Sequence, residues 1–259
     1  MATFSRTKEF REAEFVEADL SGARFRSSDL SGVVMREVDI QGADIDAPWL
    51  SNGDGFMLVN GVDVIPLVEA ELDRRFPGRS ERRATDPEGL RAAWAKLETS
   101  WAGTVERVAA MPEGTVDVSV DGEWSFAQTL RHLVLATDMW LGKAVLGVEQ
   151  PFHRFGLTDA STEVDPDGTI FAKKPPSYAE VHDARADRVA MVRDFLATVT
   201  AEGLAVMRTN PHDPDYPEST LSCLHVILEE EWEHHRYAVR DLDTIAAGGQ
   251  GVGEGAPST

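Results

Sequence analysis

The chain has 259 residues, enough for one large domain or a small and a medium one, and 42% of them are hydrophobic, so a sizeable core can be buried. Its 45 acidic against 25 basic side chains leave a formal charge of −20, which repels phosphate backbones and anionic bilayers and argues against nucleic-acid and membrane partners. No stretch approaches the ~20 continuous apolar residues of a membrane span. The opening MATFSRTKEF has no apolar signal core, and the single cysteine, Cys223, has no partner for an internal disulfide; both fit a reducing, cytoplasmic setting.

In chain order, the first feature is a repeat. Phe10, Phe15, Leu20, Phe25, Leu30, Met35, Ile40 and Ile45 recur every five positions, and a small residue stands two places before most of them: Ala13, Ala18, Ala23, Ser28, Ala43. Neither a helix nor a flat strand has a period of five, so residues 1–50 are a repeat architecture. The segment resembles the pentapeptide-repeat family, through Ala18-Asp19-Leu20 and more loosely Ser28-Asp29-Leu30, while Val33 and Val38 depart from the pattern. That resemblance implies about two coils of a right-handed β-helix, too few to bury a core without a neighbour. A structural cap is the plain expectation; a protein-interaction module is the other.

Residues 51–85 read as a loop, a short helix from Pro66 to Phe76, and a charged linker, GRSERRATD. Four amphipathic helices follow over residues 86–246. The first starts after Asp86-Pro87-Glu88 and carries a seam of Leu90, Trp94, Leu97, Trp101, Val105 and Val108. The second opens on a Ser125/Gln128 capping box and runs to about Leu146; the third opens on Ser177/Glu180; the fourth spans about Ser219 to Ala246. A long connection, about 147–176, is expected to cross over one end of the bundle, and residues 247–259 form a glycine-rich flexible tail. The fold class expected is therefore mainly α, a four-helix bundle with a short N-terminal β-helix.

The fourth helix bears the chemistry. Its seam runs Leu221, Leu224, Leu228, Glu231, His235, Ala238, Leu242, Ile245, which places Glu231 and His235 toward the core. A buried carboxylate and imidazole need partners, and a metal ion satisfies both, as would a hydrogen bond or an arginine from another helix. From this helix alone the two readings stand level. His132, in an apolar stretch of the second helix, completes a two-histidine, one-carboxylate set that leaves coordination positions open. Glu230 and His234 have the same spacing but lie off the seam, so His234 is expected at the surface or behind the ligands. His225 falls well off that face, and Cys223 is too far along the axis to share the metal. Arg236, Arg240 and Asp241 are expected in ion pairs. Arg185 on the third helix could meet an anionic substrate, and Asp138 could orient His132.

Residues 86–246, through WSFAQTLRHLVLATDMWLGKAVLG and HVILEEEWEHHRYAVRDL, resemble the DinB/YfiT-like superfamily, in the branch of mycothiol-dependent maleylpyruvate isomerases. The resemblance implies a divalent metal, commonly zinc and sometimes nickel, held by a histidine of the second helix and two ligands of the fourth, here His132, Glu231 and His235. It implies mycothiol or another small thiol as co-substrate, a small electrophile as substrate, and allows a homodimer. A metal-dependent hydrolase and a non-enzymatic metal-binding protein are the alternatives.

Overall fold

The structure, a computed structural model, describes residues 3–158, 164–165 and 167–250, without the side chains at 249 and 250. The expected tail lies almost wholly outside the described residues. The chain divides into two units, Met1–Asp46 and Ala47–Thr259.

In the first unit the five-residue period appears as turns. Glu12, Glu17, Gly22, Ser27, Gly32, Glu37 and Gly42 all adopt left-handed backbone. Every tenth residue adds a local brace: the carboxylates of Asp19, Asp29 and Asp39 accept the N–H of Ser21, Ser31 and Gln41 at 2.9 Å. The expected β-helix is not seen. Among the described residues of this unit, 3–46, there is no strand and every residue is exposed, the apolar ladder included. Coils of this kind gain stability by stacking on neighbours, and eight pentapeptides supply few.

The second unit begins with a small hairpin, β1 (Leu58–Val59) and β2 (Val62–Asp63), then helix α1 (Ile65–Arg75). The supposed charged linker is a 3₁₀ turn, Arg79–Arg83, whose Arg79 and Arg82 are buried. Both guanidiniums bond Glu69 of α1, and Arg79 also reaches Asp73. Charge marked this stretch as solvated, whereas paired carboxylates allow it to be buried.

Four long helices build the core. They are α2 (Pro87–Ala109), α3 (Phe126–Thr137), α4 (Tyr178–Thr198) and, after the short α5 (Ala201–Leu204) and the hairpin β3 (Met207–Arg208) and β4 (Glu218–Ser219), α6 (Thr220–Gln250). Their starts are those the capping residues foretell. Asp86 accepts the N–H groups of Glu88 and Gly89, and Ser125/Gln128 and Ser177/Glu180 close reciprocal capping boxes. Both α2 and α3 pack on α4 and α6, so the helices close a ring in the order α2, α4, α3, α6. Trp94, Leu97 and Trp101 of α2, Leu130 and Leu133 of α3, Val192 and Leu196 of α4, and Leu228, Trp232 and Leu242 of α6 fill it. No helix among the described residues is long and apolar enough to cross a membrane.

Past Thr137, α3 does not stop but widens into a π-helix, Asp138–Val145, in which the Leu146 N–H reaches back to Leu141 C=O. The long connection then returns along the flank of α3 rather than over the end of the bundle. Pro151 packs on Gly142, where an added Cβ would come within 2.8 Å, and the Leu157 N–H donates to Arg131 C=O. That return path places a loop carbonyl beside His132.

Candidate metal centre

His132 sits in the middle of α3 and is 9% exposed. Facing it on α6 are Glu230 and His234, and the three residues each bring one ligand atom within 4.8 Å of the others. Among the described residues this is the one group of histidine, cysteine or acidic side chains so disposed. His132 Nε2 lies 3.3 Å from Glu230 Oε2, and His234 Nδ1 3.4 Å from the same oxygen. The two imidazoles stack at 4.7 Å, and Trp124, the residue just before the α3 capping box, packs its ring 4.7 Å from His132 and 6.1 Å from His234.

Each histidine is held by a main-chain carbonyl. His132 Nδ1 is 3.3 Å from Leu157 C=O on the returning loop, and His234 Nδ1 is 2.8 Å from Glu230 C=O one turn back. With the Nδ1 proton donated in each case, the free lone pair is on Nε2. Burial, then the neighbouring His132, pushes the His234 pKa down to about 4, so that ring is neutral at pH 7. Two imidazoles and a carboxylate thus converge on one spot, an arrangement that a cation would satisfy. The donor set fits a divalent ion of the zinc or nickel kind. The Glu230 side chain is 27% exposed, so the group is reached from solvent.

The group with ligand spacing uses, on α6, the residues one before those expected from the seam. Glu231 and His235 do face inward, at 1% and 6% exposure, but they do not join His132. Glu231 takes Arg185, whose Nη2 lies 2.6 and 2.5 Å from its two carboxylate oxygens. His235 Nε2 meets Thr104 Oγ1 at 2.9 Å and Ser100 C=O at 3.3 Å, with Trp101 against its ring. The seam points to the bundle axis, where these partners wait; the open group lies 100° round the helix, between α6 and α3. Burial pushes the Glu231 carboxyl up, against the pull of Arg185.

The helper roles also move. Arg185 is bound to Glu231 and is not presented to a substrate. Asp138 does not orient His132: its carboxylate pairs with Arg188 of α4 and accepts the His153 N–H at 2.7 Å, which anchors the start of the loop. His225 Nε2 meets Ala84 C=O at 2.8 Å, and Cys223 is buried, its thiol pushed up to about 11 by desolvation. Arg236 pairs with Glu233 at 2.9 Å and Arg240 with Asp241 at 2.7 Å, as expected. The sequence reasoning missed Trp124 and Leu157. The first had a signal, an aromatic residue at the mouth of a capping box; the second acts through its backbone and had none.

The model of the DinB superfamily matches residues 96–238, more than half of the chain, and the chain belongs to that superfamily. Its members include metal-dependent enzymes and often bind metal. Pentapeptide repeats, in eight copies, match residues 10–46. No curated protein and no solved structure matches the chain.

Proposed function

We propose that this protein is a metal-dependent thiol transferase or thiol-dependent isomerase, joining a low-molecular-weight thiol, mycothiol in hosts that make it, to a small electrophile. The observation that carries the reading is the convergence of His132, Glu230 and His234 at a solvent-reached flank of the bundle. These three would hold zinc or nickel, and the remaining coordination positions fall to water or substrate. A divalent cation bound there lowers the pKa of a thiol, so a nucleophile is available at neutral pH without a basic side chain.

The chain's own residues do the rest. Leu157 C=O and Glu230 C=O fix the histidine tautomers, and the Trp124 ring closes one side of the imidazole pair against water. Thiol chemistry needs no further base, which agrees with a site where the other nearby acids are committed: Glu231 to Arg185, Glu233 to Arg236 and Asp138 to Arg188.

Metal analysis of the purified full chain, followed by thermal-shift titration with mycothiol, glutathione and cysteine, tests the reading. A thiol that raises the melting temperature of the metal-loaded form alone is the expected result, since a ligand of the folded state stabilises it. A chain that takes up no metal, or equal stabilisation of the metal-free form, overturns it.

A further inference from the structure

The loop that orients His132 has a second face. Arg154, Phe155, Lys174, Pro175, Ser177 and Glu180 are among the residues lining a cavity of about 390 Å³, within the size range of small-molecule sites. The metal ligands do not line it. The α4 helix end beside it is already satisfied: Glu180 Oε2 accepts the Ser177 N–H at 2.8 Å and its hydroxyl at 2.7 Å. The Ser177 hydrogen bonds, then the nearby charges of Arg154 and Lys174, hold the Glu180 carboxyl below its usual range, but neither cation makes a direct ion pair among the described residues; Arg154 lies over the Phe155 ring, 5.3 Å from its centre. Arg131 donates to the carbonyls of Phe155 and Gly156, which holds the Phe155 wall in place. Two cations thus face one carboxylate among the described lining residues, beside apolar walls.

We propose that this cavity binds a small organic dianion, its charged head between Arg154 and Lys174 and its apolar body against Phe155 and Pro175. The shared chemistry is a dianionic head, which a phosphate monoester or a dicarboxylate supplies. Recognition needs no metal, because the loop is fixed by Arg131 and by the Arg154 C=O, which accepts the Ala172 N–H at 2.8 Å.

The test is calorimetric titration of the full chain with phenyl phosphate, with phthalate and with neutral benzyl alcohol, each run with zinc and with a chelator. Saturable binding of one or both dianions under both conditions is expected, and which one binds identifies the head. Arg154→Gln/Lys174→Gln, at exposed positions, should weaken binding by about tenfold or more. Lys8→Gln/Arg24→Gln, the same charge change in the repeat unit, should leave it unaltered. Equal binding of benzyl alcohol, binding only with zinc present, no saturation, or an undiminished affinity in the Arg154/Lys174 variant overturns the proposal. Dependence on zinc would put the anion at His132 instead, so the outcome is separable from that of the metal reading.

Discussion

Arg185 and Glu231 meet between α4 and α6, two helices that are not neighbours in the ring, so their ion pair spans the middle of the bundle. At 6% and 1% exposure, each leaves the other an uncompensated buried charge if removed. Arg185→Met should therefore cost about 3–5 kcal/mol in urea melts, whereas Arg185→Met/Glu231→Leu should cost much less. Metal content of the double variant should equal that of the parent, because neither residue belongs to the His132 group.

The two interleaved Glu-x-x-x-His pairs of α6 are separable by metal analysis. His132→Ala, Glu230→Ala and His234→Ala should each lose tight metal binding, and His235→Ala should keep it. Retention by Glu230→Ala with loss by His235→Ala would restore the frame that the seam suggested.

Gly156 lies one residue before the carbonyl that orients His132. A Cβ there would stand 2.9 Å from the Phe171 ring and 3.2 Å from His153 C=O, so the loop must shift. Gly156→Ala is expected to weaken metal affinity by about 10–100-fold, the usual effect of disturbing a residue that supports a ligand. The α-helical circular dichroism should stay the same. Unchanged affinity would remove Leu157 from the site.

Acid lability should begin at the buried arginines of the 3₁₀ turn. Burial raises the Glu69 carboxyl, but hydrogen bonds from Arg79 and Arg82 outweigh it and bring the pKa from 4.5 down to about 2. A folded pKa below the unfolded one means stability that is complete above about pH 4.5 and lost as the pH falls toward 2. Glu69→Gln should flatten the stability–pH curve across that window and lower its plateau at neutral pH. A curve parallel to the parent's would assign the acid limb to other groups.

Much of the bundle was legible because local chemistry and periodicity agree. Asp86, Ser125 and Ser177 announce three helix starts, and Trp94, Leu97, Leu224, Leu228 and Leu242 mark the faces that are buried. The same periodicity points to Glu231 and His235, whereas the group with ligand spacing uses Glu230 and His234. Burial peaks on the bundle axis and that group sits at the half-buried edge, so Glu230 and His234 look less inward than Glu231 and His235. Arg79 and Arg82 were misread for a related reason: their carboxylate partners come from another element, and composition alone cannot pair them. The π-helix at Asp138 leaves no mark in residue type, and neither does the packing of Pro151 from the following loop on its Gly142.

The spacing on α6 has a further consequence. Turned by 100° about its axis, this helix would again offer a glutamate and a histidine one turn apart toward α3, so its rotational setting is ambiguous to the ligand set itself. The buried seam of Leu224, Leu228 and Leu242 removes most of the ambiguity. Arg185 adds to it by donating to both carboxylate oxygens of Glu231, so the setting that turns Glu230 and His234 toward α3 is braced by a contact about 100° round the helix from them.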